Sequence, residues 1–568
     1  PSLPLAPRHP GRDIDFDAHH PDNEGWHRLN RHSFVADYRG FLAFFFGHLF
    51  TEPHSTKHIE DCIGWGLETT PETLIATLDA PSLSRDQVRA LCARIKGPVM
   101  VIHGDQDSLV PLARGAATAE ATGGRLVTLE GAGHGPQARD PVKVNLLLRE
   151  FTAPRAPVAR WPRALTRKKR ALFVSSPIGL GHAQRDVAIA DELRKLHPGL
   201  EIDWLAQNPV TRVLEARKER IHPASALLAS DSAHMESEAS EHDLHCFQAW
   251  RRMDEIMVAN FMVFHDLVQD ERYDLWIGDE AWEVDYFLHE NPEEKRAPYV
   301  WLTDFVGWLP MPDGGDRERA LTADYNTEMI AQIERFPRLR DRALFVGTPE
   351  DIVPDRFGPG LPEIRAWTEE HYRFPGYVTG FDPAAFADRA SLRAELGYRE
   401  GEQVCIVTVG GSGVGRSLLE RVIAAFPEAK RQLPALRMVV VAGPRIDPAS
   451  LAATPRRDLE VLPYVDQLYR HLAACDLAVV QGGLTTTMEL GANRRPFLYF
   501  PLRHHFEQTF HVRHRLERLG AGRCMDFDRS GPEEIAAAIV EEIARPAAGA
   551  AVDGGGAARA AAEIAALL

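Results

Sequence analysis

No two of the six cysteines stand as a C-x-x-C pair; Cys62, Cys92, Cys246, Cys405, Cys475 and Cys524 are scattered along 568 residues. That spacing excludes a zinc ribbon and a disulfide framework and fits reduced thiols in a cytoplasmic protein. Basic residues are in short supply too: 65 Lys and Arg against 81 Asp and Glu leave a formal charge of −16. With no basic domain to offset it, nucleic acid is not expected as the main partner. Long apolar runs are missing as well. The longest, residues 40–50, is about half of what a bilayer requires, and no signal peptide is visible. The chain opens on Pro1 rather than methionine, which leaves open a segment upstream of it.

What is present exceeds a single core, and three or four domains are expected. Residues 1–153 form a first unit. A strand at 99–102 runs into His103-Gly104-Asp105-Gln106-Asp107, and a second at 125–129 runs into Gly131-Ala132-Gly133-His134. A carboxylate and a histidine at the carboxyl ends of successive strands can meet as a base and its orienter. This resembles the C-terminal part of an α/β-hydrolase, with Asp107 and His134 on the acid and base positions. The G-x-S-x-G elbow that should precede Asp107 is absent, and Gly410-Gly411-Ser412-Gly413-Val414 fails the pattern. Acid and base without a nucleophile do little. The unit is read as a hydrolase truncated upstream or as a degenerate one kept for interaction.

Residues 154–170 read as a linker stiffened by Pro154, Pro157 and Pro162. Its seven basic residues suit a solvated connector, with contact to an anionic membrane face as the alternative. Beyond it, apolar runs at 171–175, 202–205, 275–278 and 299–302 alternate with helical stretches. The alternation restarts at 404–409, 438–442, 460–462, 477–480 and 497–500. Parallel strands need crossover helices, so the pattern predicts two doubly wound α/β domains, 171–375 and 376–545, with ligands at the carboxyl ends of their strands. Residues 546–568 form an Ala/Gly-rich tail in which 557–568 has helical character.

The densest motif is Gln481-Gly482-Gly483-Leu484-Thr485-Thr486-Thr487-Met488-Glu489, followed by Pro501 to Gln508. A strand running into glycines, threonines and then a helix builds a phosphate site. Glycines admit an anion close to the backbone, the threonines can cap the helix, and its free N–H groups face negative charge. Glu489 is placed to meet ribose hydroxyls, and Glu507 with Gln508 to meet a sugar. The segment resembles the nucleotide-sugar signature of UDP-glycosyltransferases of the GT-B fold, and is similar to the bacterial N-acetylglucosaminyltransferase acting on the lipid-linked peptidoglycan precursor. Gly483, Thr485, Thr486, Glu489, Glu507 and Gln508 fall on signature positions, while Gln481 replaces the signature histidine. The expected fold class is therefore α/β, GT-B: two facing Rossmann-like domains preceded by a partial α/β-hydrolase-like unit.

The resemblance implies roles. Ser176-Pro177-Ile178-Gly179-Leu180-Gly181-His182 brings His182 to the place of the family's general base, and a histidine suits that task because its pKa lies near working pH. The third glycine of a dinucleotide fingerprint is missing, with Gln184 in its place, so an NAD enzyme is not expected. Asp279 matches the aspartate that orients the histidine; Glu280, Glu283, Asp285 and Asp304 are rival acids. Gly411, Ser412 and Gly413 resemble the glycine-serine loop on the donor diphosphate, and Tyr464 falls where the family holds the uracil ring. The His242, His245, Cys246 group and the His504, His505, Glu507, His511, His514 group are ligand-rich, yet no metal or cofactor is expected. The implied partners are a UDP-sugar donor and a small-molecule or lipid-linked acceptor. The implied location is cytoplasmic, with contact at the inner membrane face left open. The competing readings are an esterase-type hydrolase and a GT-B-shaped epimerase or binding protein.

Overall fold

The computed structural model describes residues 3–20, 22–153, 167–411, 413–451, 457–545 and 552–568. The chain divides into two compact units, Pro1–Val158 and Ala159–Leu568.

In the first unit the aromatic stretch becomes the helix Tyr38–Leu49, capped by Asp37, whose carboxylate accepts from the Gly40 N–H. Phe34, Phe41 and Leu42 are buried there, with Phe45, Phe46 and Ile63 against them. Strands β1 (Met100–Gly104) and β2 (Arg125–Leu129) pair in parallel, joined by the helix Leu112–Thr122. Among the described residues this unit holds no further strand, so the expected hydrolase-like sheet is reduced to one strand-helix-strand unit.

Of the expected linker, residues 154–166 lie outside the described residues, and Arg170 already belongs to β3 (Arg170–Ser175). Arg167 pairs with Asp274 at 2.9 Å, and Arg170 with Asp203 and Glu271 at 2.6 Å each. These two charges are paired with carboxylates of the second unit, although both side chains remain partly exposed.

The second unit holds two six-stranded parallel sheets. The first contains β3, β4 (Glu201–Leu205), β5 (Arg220–Ile221), β6 (Leu275–Asp279), β7 (Tyr299–Thr303) and β8 (Arg342–Phe345), in the order β5-β4-β3-β6-β7-β8. The second contains β9 (Gln403–Thr408), β10 (Leu436–Val441), β11 (Leu459–Leu462), β12 (Leu477–Val480), β13 (Phe497–Tyr499) and β14 (Arg523–Cys524), in the order β11-β10-β9-β12-β13-β14. Both are the doubly wound order, in which the winding reverses next to the first strand and opens a crevice there. Central strands such as β6, β7 and β12 are buried along their whole length, which is why they read as continuous apolar runs. The arrangement is GT-B-like.

The stretch expected as a tail turns back instead. Its helix Gly556–Ala565 puts Ala557, Ala560, Ala561 and Ile564 into the core, packed on the helix Leu180–Leu196. Alanines allow that close approach, and Glu563 pairs with Arg342 of β8 at 3.2 Å. The last residues of the chain thus complete the first sheet's domain.

Candidate functional site

The register of the sheets decides what meets what. Ser175 lies opposite Asp279 at the ends of β3 and β6, and Thr408 opposite Val480 at the ends of β9 and β12. The loops leaving these four strand ends therefore emerge at the two winding reversals. Those after β3, β9 and β12, with the segments after β11 and β13, line a cleft of about 210 Å³ that includes Gly179, His182, Gly411, Tyr464, Gln481, Gly483, Thr485, Thr486, Glu489, Glu507 and Gln508. The two halves approach closely: a Cβ at Gly181 would come within 2.0 Å of the Thr485 hydroxyl, so only glycine fits at that point.

On the first sheet's side, His182 sits in the opening turn of Leu180–Leu196, with Nδ1 2.9 Å from Asp279 Oδ2. Asp279 is fully buried. Burial and the Arg185 charge pull the imidazole pKa down, but Asp279 and Glu280 outweigh them, and the net shift is upward. Burial alone would raise the Asp279 carboxyl; Arg185 and His182 instead hold it below the ordinary carboxylate range. With Nδ1–H donating to Asp279, Nε2 is left as the acceptor, and the pair can take a proton from a bound group.

Arg185, one helical turn after His182, is a residue that sequence reasoning missed. Its guanidinium is buried, donates Nε–H to Asp279 Oδ2 at 2.8 Å, and also reaches Asp279 Oδ1 and Asp304. Nη2 lies 2.8 Å from His182 Nδ1, but an arginine can only donate, so that contact competes with Nδ1–H donation to Asp279. The i, i+3 spacing from His182 was the available signal, since such residues share a helix face. Arg515, equally buried, donates to the Asp304 carbonyl at 3.1 Å and ties that loop to the second half.

On the second sheet's side, Gly482 adopts φ +108°, a conformation that suits glycine, and turns β12 into the helix Leu484–Ala492. Gly483 is the N-cap and supplies no side-chain acceptor. The expectation that the threonines cap this helix is therefore corrected: the Thr487 hydroxyl bonds back to the Leu484 carbonyl at 2.8 Å, and the first-turn N–H groups keep no side-chain partner. Glu489 is buried and pushed up to about 8 by burial. Gln481 donates to the Val414 carbonyl at 3.1 Å, bracing the glycine loop. Gln508 accepts from the Leu502 N–H at 2.9 Å, and the backbone is wound as a π-helix over Glu507–Val512, a form frequent at functional sites.

Some expected members stand apart. Ser412 lies outside the described residues. Gly413 faces Glu236 rather than the cleft, and Asp279 acts from behind His182 without lining it. The histidines of 504–514 do not gather round the cleft. Only His505 lines it, whereas His504 is held between Asp243 at 2.7 Å and Asp313 at 2.6 Å, and His514 meets the Glu350 carbonyl at 3.0 Å. Among the described residues no three His, Cys, Asp or Glu side chains converge as a metal-ligand set. His504 belongs to a strap that sequence reasoning missed. There Asp243 bridges Arg503 in parallel, and the Leu244 N–H donates to the Arg503 carbonyl at 3.1 Å.

In the first unit, His134 Nδ1 lies 2.8 Å from Asp107 Oδ2, and His103 Nε2 lies 3.2 Å from the same oxygen. Asp107 also accepts from the Leu109 and Val110 N–H groups at 2.9 and 2.8 Å. It is a carboxylate tied down on all sides.

Residues 404–566 match the Glycosyltransferase family 28 C-terminal domain. An uncharacterized glycosyltransferase of Methanopyrus kandleri is 27% identical over 194 residues, 34% of this chain and 52% of that protein. The UDP-N-acetylglucosamine–N-acetylmuramyl-(pentapeptide) pyrophosphoryl-undecaprenol N-acetylglucosamine transferase of Acidothermus cellulolyticus is 30% identical over 151 residues, 26% of this chain and 40% of that protein. The chain thus spans about half, or less, of the length of these curated relatives. Among solved structures, the spinosyn rhamnosyltransferase SpnG aligns at a TM-score of 0.43 with 18% identity, over 70% of this chain and 96% of its own. The glycotransferase of kitacinnamycin aligns at 0.43 with 17% identity, over 71% and 96%.

Proposed function

We propose that the second unit is a glycosyltransferase that moves a sugar from a UDP-sugar to an acceptor hydroxyl or amine with inversion. The observation that carries this is the convergence, in one cleft, of the His182–Asp279 pair from one sheet and the uncapped helix start at Leu484 from the other. The family 28 domain match over 404–566 supports it independently.

His182 Nε2 takes the acceptor proton while Asp279, clamped by Arg185, holds Nδ1–H and stabilises the imidazolium. The freed acceptor pair attacks the anomeric carbon, and the bond from that carbon to the diphosphate breaks on the opposite face. The leaving UDP carries the electron pair away. Its growing charge is met by the first-turn N–H groups of Leu484–Ala492 and by the helix dipole, with no metal required by this scheme. Glu489 holds the ribose, Tyr464 the uracil ring, and Glu507 with Gln508 the sugar.

We take the acceptor to be a small molecule or a lipid-linked one, the latter suggested by the undecaprenol-linked substrate named for the Acidothermus relative. Among the described residues no helix is long and apolar enough to cross a membrane, so contact with a lipid-linked acceptor would be peripheral. We read the first unit as a hydrolase remnant on the strength of its Asp107–His134 pair, and no observation favours hydrolysis as the activity. Titrating UDP into the protein and following UDP release from UDP-glucose or UDP-N-acetylglucosamine across an acceptor panel tests the proposal. Acceptor-dependent release that His182→Ala abolishes is expected, and full turnover by His182→Ala would overturn the assignment of the base.

A further inference from the structure

Glu280 follows β6 directly, next to Asp279, with φ +46°. That left-handed conformation is uncommon for a residue with a side chain, and residues held in it against their preference gather at active sites. The surroundings impose it. The Glu280 N–H donates to the Leu302 carbonyl at 3.0 Å, and Oε1 accepts from the Thr303 hydroxyl at 3.0 Å and the Asp304 N–H at 3.2 Å.

One carboxyl oxygen is therefore fixed from behind. The other, Oε2, accepts no hydrogen bond among the described residues and lies 3.9 Å from His182 Nε2, the nitrogen left free by Asp279. That separation is too long for a direct hydrogen bond. His182 lines the cleft and Glu280 sits just behind its wall, so a pair of ligand oxygens, one on each group, can close the distance from the cleft side. Nor does Arg185 account for the residue. Its donors already serve Asp279 and Asp304, and Oε1 stands off at 3.7 Å. Burial pushes the Glu280 carboxyl up to about 8 despite the His182 and Arg185 charges 3.9 and 3.7 Å away, and a nearly buried carboxyl oxygen without a hydrogen bond is costly to keep unless something else uses it.

We propose that Glu280 is a specificity-determining residue on the acceptor side, binding a second hydroxyl or amine adjacent to the one that His182 deprotonates. The acceptor class is then a vicinal diol or amino alcohol rather than an isolated hydroxyl. Two neighbouring oxygens of such a group span the gap from Nε2 to Oε2, one hydrogen bond to each. Glu280 forms no covalent bond and receives no leaving group; it positions the nucleophile and rejects acceptors that would leave its carboxyl unmatched. The inference rests on the transferase reading above.

The test uses Glu280→Gly in the full chain, because the φ of this position suits glycine and the substitution removes the carboxyl without new backbone strain. With UDP-glucose as donor, kcat/KM is measured for 4-methylcatechol against 4-methylphenol, and for methyl glucoside against its deoxy counterparts. The wild type should favour the diol of each pair by about tenfold or more, as expected for a site built to hydrogen-bond a hydroxyl. Glu280→Gly should bring that ratio near one with unchanged UDP affinity, while the Thr303 hydroxyl and Asp304 N–H it leaves unpaired lower the melting temperature without unfolding the chain. Glu280→Gln, which keeps the shape, should retain part of the preference. An unchanged ratio in Glu280→Gly, a wild type indifferent to the second hydroxyl, or a chain that binds UDP yet transfers to no diol overturns the proposal. Failure to bind UDP or consume any donor would instead sink the transferase reading, and this inference with it.

Discussion

Two histidine–aspartate pairs of nearly equal length, His134–Asp107 at 2.8 Å and His182–Asp279 at 2.9 Å, stand in the two units of this chain. Distance does not separate them; surroundings do. The His134 side chain is 36% exposed and is not among the cleft-lining residues, whereas the His182 side chain is 15% exposed and lines a cleft opposite an uncapped helix start. Asp107 spends its oxygens on two histidines and two backbone N–H groups. Asp279 spends its own on one histidine and one arginine that also holds the neighbouring loop. An acid–base pair becomes a candidate for catalysis through what it faces, and only the second pair faces a place where charge can develop.

The largest expected effect breaks the comparison outright. His182→Ala should lower acceptor-dependent UDP release by about 10²–10⁴-fold, the range for a general base. His134→Ala should leave it within about twofold of wild type, since His134 is not among the residues that line the cleft. Equal losses in the two variants would erase the distinction.

Asp279→Asn should come next, with a loss on the order of 10²-fold or more from the wrong imidazole tautomer. The pH–rate profile sharpens this. A base works only when neutral, and the His182 pKa is raised, so activity should climb with pH on the alkaline side of the ordinary histidine range. Removing the Asp279 charge should move that limb to lower pH.

Glu489→Ala should weaken UDP binding by about tenfold, the worth of a hydrogen bond to a charged or buried group, read by calorimetry. The smallest effect belongs to the first unit. Burial alone would raise the Asp107 pKa, but hydrogen bonds from His103, His134 and the Val110 N–H hold it well below the ordinary carboxylate range. A depressed folded-state pKa gives stability that is present above the unfolded value and lost as pH falls through the folded one. Asp107→Asn should therefore lower the melting temperature by a few degrees near neutral pH, by roughly 2–4 °C per kcal/mol for a unit of this size. The gap should close in acid.

How much of this was legible in the sequence follows from how local each cause is. The long central strands announce themselves because burial on both faces demands uninterrupted apolar residues, as in Val404 to Thr408. The Gly482 turn and the position of His182 were equally plain, since a strand running into glycines and then a helix has one common outcome. Three of the four edge strands were not legible: β5 and β14 are two residues each and begin with Arg220 and Arg523, and β8 begins with Arg342 before a run of only three apolar residues, whereas the edge strand β11 was read at 460–462. Arg185 reads as a helix surface charge until two acids from other loops surround it. The strap at Asp243 and Arg503 joins segments 260 residues apart, and the docking of Gly556–Ala565 depends on a surface presented by another helix; neither has a local signature. The left-handed backbone of Glu280 is likewise imposed from outside, by Thr303 and Asp304.

The central claim is that a sugar nucleotide lodges its diphosphate against the helix that starts at Leu484. A crystal structure with UDP bound tests it most directly. The account predicts the diphosphate within hydrogen-bond reach of the Leu484–Thr486 N–H groups and the ribose beside Glu489. UDP seated elsewhere in the molecule, or no UDP in the cleft at saturating concentration, would contradict it.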